Sequence, residues 1–233
     1  MNNKIITIIC ARKNSKGLKN KNILLLNGKP LIYYTIKSAI KSNYTKDIYV
    51  STDSSEIAIN SEKFGAKALF PRPKYLSGDN ITSEKVLQYT LKKIEKIKKI
   101  KYDYVLYLQV TEPFRNKNII DRCIYKILKN KKIDSVFAAK PYKKNIWYKK
   151  NNKIIRLNYF ERYGIPRQKK NLLYREDTGI ACISKASFIR KGLRLGNNVE
   201  IVKHHNDFDY IDIHNKNDLY LSNIILKKKI FKL

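Results

Sequence analysis

The sequence predicts a three-layer α/β domain, a mostly parallel sheet with helices on both faces, and three observations carry that expectation. Short β-branched runs alternate with helical patterns in the order βαβαβαβα between Ile5 and Leu128, which is the rhythm of parallel strands joined by crossover helices. The chain has 233 residues, a length that one domain with one core accommodates, and no repeat or Gly/Ser linker divides it. With 43% hydrophobic and 11% aromatic residues it can fill such a core, so disorder as the main state is excluded.

Each element follows from its residues. Ile5 to Cys10 is an apolar β-branched run with polar flanks, a buried strand. From Pro30 to Ser42, Leu31, Tyr34, Ile36, Ala39 and Ile40 form one helical face behind a proline suited to a first turn. Ile48 to Ser51 reads as a strand, Ser55 to Phe64 as a helix stopped by Gly65, and Ala68 to Phe70 as a short strand. Ser83 to about Lys99 is amphipathic through Val86, Leu87, Leu91, Ile94 and Ile97, with Ser83 as cap. Tyr104 to Gln109 is the central strand and Lys117 to Leu128 the next helix.

Two later segments break the rhythm. Ile146 to Leu157 reads as a hairpin around Asn151 and Asn152, and Asn158 to Asp177 is polar, aromatic and strand-poor. Residues 141–177 are therefore expected to leave the main sheet as a lid or dimerisation arm. Thr178 to Ile183 returns to strand, and Lys216 to Lys228 closes the fold as a helix.

The charge bounds the partners. Fifty Lys and Arg against 19 Asp and Glu give +31, the balance expected of a nucleic-acid binder. The lysines, however, are spread along the chain, and no zinc finger, RNP motif or basic zipper is present. Lys, Asn, Ile and Tyr share A/T-rich codons, so a solvated basic surface is favoured over a nucleic-acid platform. Cys10, Cys123 and Cys182 are odd in number and widely spaced, which argues against disulfides or a zinc site and for a reducing cytoplasm. The apolar stretch at Ile5 to Ala11 is too short to span a membrane, and no signal-peptide pattern follows it. His204 and His205, with no carboxylate pattern nearby, read as exposed loop residues, and the cysteines as small buried hydrophobes.

Chemistry concentrates after the first strand. In Ala11 to Asn22 five cations fall close together, and Ser15 and Gly17 let the backbone turn tightly. A basic loop at the carboxyl end of a first parallel strand is where a nucleoside triphosphate, carrying about −4 charge, would sit. The segment is neither a Walker A loop nor GxGxxG, which disfavours a kinase or a dinucleotide enzyme.

This segment resembles the ARxxSKGLxxKN signature of the CMP-sialic acid synthetases, the acylneuraminate cytidylyltransferase family. The resemblance recurs in order. Val50 to Ile57 is similar to the family's STD segment, Arg72 to Asp79 to RPxxLxxD, and Leu108 to Arg115 (LQVTEPFR) to LQPTSPLR. Arg167-Gln168, Tyr174 and Thr178-Gly179 resemble RxQ…Y…(N/T)G, and Asp209 to Ile213 with Asp218-Leu219 resembles IDIDxxxDL. The matches run from about residue 5 to 220.

The resemblance implies a Rossmann-like fold and transfer of CMP from CTP to the anomeric hydroxyl of a nonulosonic, sialic-acid-like 2-keto sugar acid, with release of pyrophosphate. The runner-up is the same chemistry on 3-deoxy-manno-octulosonate. From another class, a non-catalytic nucleotide- or nucleic-acid-binding protein would account for the charge. Arg12, Lys16 and Lys21 are then the catalytic cations, since such an enzyme mainly positions two anions and stabilises phosphate charge. Ser15, Asn22, Arg72 and Ser83 match positions on the CTP side, Gln109 a sugar contact, and Arg167 and Gln168 candidates for the acceptor carboxylate. Where the family carries its second metal aspartate this chain has His214, so the expected Mg²⁺ rests on Asp212 and His214, with Mn²⁺ the alternative if imidazole ligates. A homodimer is implied, with residues 141–177 crossing to the neighbour and Trp147, Tyr148, Tyr159, Phe160 and Tyr163 as interface aromatics.

Overall fold

In a computed structural model the described residues are 3–15, 17–116, 118–157, 166–204, 208 and 211–231, and the side chain of Arg167 lies outside the description. Lys16, Lys117, Tyr159, Phe160, Tyr163, His205 and Asp209 therefore fall outside the described residues.

The strands are β1 (Ile5–Cys10), β2 (Leu25–Leu26), β3 (Lys29–Pro30), β4 (Asp47–Ser51), β5 (Tyr104–Gln109), β6 (Ser135–Tyr142), β7 (Trp147–Lys150), β8 (Lys153–Arg156), β9 (Leu173–Glu176), β10 (Cys182–Lys185) and β11 (Val199–Lys203). The helices are α1 (Leu31–Ile40), α2 (Ser55–Lys63), α3 (Ser83–Lys98), α4 (Ile119–Lys129), α5 (Ala186–Arg190) and α6 (Lys216–Lys227).

The main sheet has the order β11-β6-β10-β5-β1-β4, with β9 added on β6. β4, β1 and β5 are parallel neighbours, and β6 and β11 share their direction; only β10 and β9 run against it. Each face of the sheet holds its own core. Ile9, Leu106, Leu108, Val136 and Ile183 pack under α1, α2, α4 and α6 through Ile36, Ile57, Ile124 and Ile225. Ile6, Ile8, Val105 and Phe137 pack under α3 and α5 through Leu87, Leu91 and Ile189. Alternation along β1 explains this: odd and even positions point to opposite faces, and both faces are covered.

The expected elements from β1 to α4 are present, with one exception. Ala68 to Phe70 makes no strand; the chain there contributes a single parallel bridge between Tyr49 and Lys67. Helix α3 takes Thr82 as its N-cap residue instead of Ser83, which frees the Ser83 hydroxyl for other partners.

The second half departs further. β6, β9 and β11 went unpredicted, β9 inside a segment expected to be strand-poor. β11 and β9 are mostly exposed edge strands without an apolar run to signal them. β10 begins at Cys182, four residues later than expected, because residues 178–180 form a turn in which Ile180 N–H bonds to Asp177 O (3.1 Å). The hairpin β7–β8 does form, around Asn151 and Asn152 at positive φ, as a separate two-stranded sheet.

His204 is a correction. It is buried, 1% exposed, and its Nε2 lies 2.7 Å from Asp177 Oδ2. The carboxylate lies 27 residues upstream, on a strand-to-turn junction no local pattern revealed, so the histidine is a satisfied core group and not an exposed loop residue.

Candidate functional site

Parallel register aligns the ends of three strands, pairing Cys10 with both Ser51 and Gln109, so the loops that follow β1, β4 and β5 converge beyond their carboxyl ends. A cleft of about 340 Å³ opens there, lined by Arg12, Ser15, Gly17, Lys21, Asn22, Arg72, Ser83, Tyr107, Gln109, Thr111 and His214, among others. A larger cavity of about 540 Å³ between α1 and the start of α4 gathers none of the residues of the basic loop.

The basic loop is held by acids and by its own backbone. Arg12 Nη1 lies 2.8 Å from Asp79 Oδ1, and Lys13 N–H donates to Asp53 Oδ1 at 2.8 Å. The same oxygen faces Arg72 Nη2 at 3.5 Å, so Asp53 ties the loop to the arginine across the cleft. Asn22 donates its Nδ2 to Arg12 O at 2.7 Å; it fixes the turn that aims Arg12. Arg72 is buried, its N–H bonds Thr52 O (2.7 Å), and its Nε is buried without a partner. An orphaned guanidinium N–H at a cleft wall costs stability and is ready for an anion.

Lys21 is 8% exposed. Burial pushes its ammonium pKa down, while Asp212 and Asp218 push it back up and Arg12 adds to the lowering. Asp212 Oδ1 is itself buried without a hydrogen-bond partner, while its Oδ2 lies 2.7 Å from His214 Nε2. The segment carrying both residues presses on the basic loop, with His214 O only 2.2 Å from where a Gly17 Cβ would be. Only glycine allows that approach.

On the other side, Gln109 Nε2 donates to Tyr107 Oη (2.9 Å) and Thr111 Oγ1 lies 3.5 Å from Gln109 Oε1. Burial keeps Tyr107 a neutral phenol by raising its pKa, and pushes the Cys10 thiol up to about 12, so Cys10 is no nucleophile. Arg194 donates to Ser83 Oγ at 3.2 Å.

The structure thus gathers Arg12, Ser15, Lys21, Asn22, Arg72, Ser83, Gln109 and His214 at one cleft, with Asp212 attached through His214. It does not bring Gln168 there: this residue is exposed in a 3₁₀ turn (Arg167–Lys169) and is absent from the cleft lining. Sequence reasoning missed Asp53, Asp79, Tyr107, Thr111 and Arg194. Asp53, Asp79 and Thr111 stand inside the motifs already quoted, and their acidity or hydroxyl was the available signal. Tyr107 and Arg194 gave none.

Comparison with known proteins agrees with this geometry. A family profile described as cytidylyltransferase matches residues 6–223. Pseudaminic acid cytidylyltransferase of Campylobacter jejuni (serotype O:23/36) is 36% identical over 155 residues, 65% of this chain and 66% of that protein. The match therefore spans just under two thirds of the relative's length. The N-acylneuraminate cytidylyltransferase of Escherichia coli O18:K1:H7 is 40% identical over 122 residues, 52% of this chain and 27% of that protein. Among solved structures, a CMP:2-keto-3-deoxy-manno-octonic acid synthetase complexed with CTP superposes with a TM-score of 0.72, covering 97% of this chain and 99% of its own, at 14% identity, a likeness of fold. With a profile match over nearly the whole sheet and with the basic loop, STD segment and Gln109 motif meeting at one cleft, the chain belongs to the cytidylyltransferase family.

Proposed function

We propose that this protein transfers CMP from CTP to the anomeric hydroxyl of a nonulosonic, sialic-acid-like 2-keto sugar acid. The observation that carries the reading is the convergence of Arg12, Lys21 and Arg72 with Gln109 at the strand ends. The acceptor oxygen attacks the α-phosphorus, a new P–O bond forms, the α–β bridging P–O bond breaks, pyrophosphate leaves and the hydroxyl proton is released. Arg12, Lys16 and Lys21 stabilise the charge that grows on the phosphates. Arg72, with its free Nε, and Ser15 bind the triphosphate, Asn22 holds the loop, and Ser83 with Gln109 mark the nucleotide and sugar sides. Gln168, exposed outside the cleft, reaches an acceptor carboxylate only from another copy or after movement of the arm, and Arg167 is kept as its companion candidate on the motif alone.

A divalent cation fits the orphaned Asp212 Oδ1, since Mg²⁺ is commonly held by one or two carboxylates plus substrate phosphates. Among the described residues no three His, Cys, Asp or Glu side chains group into a self-sufficient metal site. When bound, the ion supplies neutralisation of triphosphate charge. His214 spends Nε2 on Asp212 and so orients the carboxylate, leaving carboxylate oxygen as the donor that would hold Mg²⁺ or Mn²⁺.

Relatives of 36–40% identity are named for pseudaminic, legionaminic and N-acylneuraminic acids, which supports a nonulosonic acceptor over 3-deoxy-manno-octulosonate. A homodimer is part of the reading, supported by the exposure of Trp147, Tyr148, Ile154 and Leu157 on or next to the β7–β8 hairpin. No helix among the described residues is long and apolar enough to cross a membrane, and three free cysteines suit a cytoplasmic setting. Pyrophosphate release with CTP, Mg²⁺ and a panel of these acids tests the reading; no release with any acid refutes it.

A further inference from the structure

Glu112 lies outside every role assigned above. It follows Thr111 at the end of the β5 motif, is 8% exposed, and its Oε2 is buried without a hydrogen-bond partner. A Cβ built on Gly179 would sit 1.8 Å from this oxygen and 2.7 Å from Gln109 Oε1, so the separation of the two oxygens cannot exceed the sum of those distances. Gly179 leaves open the space that both oxygens border.

Buried acceptor oxygens within that distance of each other favour a proton between them, and the Thr111 hydroxyl, 3.5 Å from Gln109 Oε1, leaves Glu112 Oε2 without one. The surrounding charges do not supply one. Arg115 is committed elsewhere: Nε donates to Ile180 O (2.8 Å), Nη1 to Thr35 Oγ1 (3.0 Å), and Nη2 to the carbonyls of Gln109 and Gly179. The charges of Arg115 and Arg175 still lower the Glu112 pKa while those of Asp212 and Asp177 raise it, so the field is divided and burial decides in favour of the neutral carboxyl. Burial and these anions push the Glu112 carboxyl up to about 7.

We infer that Glu112 is a positioning residue for Gln109, its carboxylic O–H donating to Gln109 Oε1. With Nε2 already bonded to Tyr107 Oη, the amide is held at both ends, and its second N–H is left for an oxygen of the acceptor. Glu112 thereby sets acceptor recognition without touching the acceptor. This rests on the cytidylyltransferase reading for its kinetic consequence, though not for its hydrogen bond.

The kinetic test titrates the acceptor acid at saturating CTP in Glu112→Leu and Glu112→Gln. Glu112→Leu raises the acceptor KM about tenfold, one hydrogen bond's worth, with the CTP KM unchanged. Glu112→Gln restores it to within about twofold, because its amide N–H can donate to the same oxygen. A Gln variant as impaired as the Leu variant, or equal losses in both KM values, overturns the inference. If Glu112→Leu does not fold, the infrared difference spectrum between wild type and Glu112→Gln at about pH 6 decides. A carboxylic-acid C=O band in the wild type supports the protonated donor, and carboxylate bands alone refute it. The spectrum needs no turnover, so its failure is separate from that of the functional reading, which would appear as no pyrophosphate release from the wild type.

Discussion

Gly17→Ala probes the contact on which the cleft depends. The new methyl would sit 2.2 Å from His214 O, and ordinary contact begins at 3.4 Å, so loop and segment must part by about 1.2 Å. Neither side yields easily. Ile213 N–H is bonded to Thr111 O (2.9 Å), and Asp218 Oδ2 accepts from the N–H groups of His214 (2.8 Å) and Asn215 (3.0 Å) in a reciprocal cap on α6. Forced overpacking of this kind costs about 1–3 kcal/mol, which for a chain of this size lowers Tm by about 2–4 °C per kcal/mol. The larger effect falls on catalysis: the displacement separates Asp212 from Lys21, and a misplacement near 1 Å can cost about a hundredfold in rate. Differential scanning calorimetry and steady-state pyrophosphate release measure the two effects. A variant with wild-type Tm and kcat/KM would show that the C-terminal segment does not brace the basic loop.

Lys21→Met should lose at least about a hundredfold in kcat yet raise Tm in calorimetry, because burial is the dominant penalty on its ammonium and leaves with the charge; a lowered Tm counts against that balance. The Glu112 carboxyl is raised from near 4.5 to about 7 on folding, so its stabilisation is present below the unfolded value and is lost as pH rises toward 7, a decrease of about 3 kcal/mol at most. Urea midpoints between about pH 4.5 and 7.5 should fall more steeply in the wild type than in Glu112→Gln; parallel profiles refute this. Trp147→Ser with Tyr148→Ser should shift light-scattering mass from dimer toward monomer without changing Tm of the main domain, and an unchanged mass removes the arm from the interface.

The first half of the fold was legible because its strands are buried on both faces. Runs such as Ile5 to Cys10 and Tyr104 to Gln109 cannot be mistaken for solvent-facing segments. β11 is mostly exposed at an edge, so no apolar run announces it; β10 was read as a strand from Thr178 to Ile183, but its antiparallel entry between β5 and β6 is set by pairing with distant parts of the chain. The cleft was legible where charge clusters in sequence, as at Arg12 and Lys21. It was illegible where pairing is long-range: Glu112 meets Gly179, and His204 meets Asp177, only after the sheet has formed.

The acids explain why so cationic a chain needs a built site. With 50 basic residues, attraction to a triphosphate is available over the whole surface and selects no place. What distinguishes the cleft is the carboxylates that fix particular cations: Asp79 on Arg12, and Asp53 on Arg72 and on the loop backbone. Each removes conformational freedom from a long side chain before the ligand arrives, so binding energy goes into the phosphates instead of ordering the protein. Neutralising Asp53 should therefore cost more activity than neutralising any exposed lysine, although it makes the site more positive. An Asp53→Asn variant that binds CTP as tightly as the wild type, measured by calorimetric titration, would show that net charge, and not its placement, draws the nucleotide in.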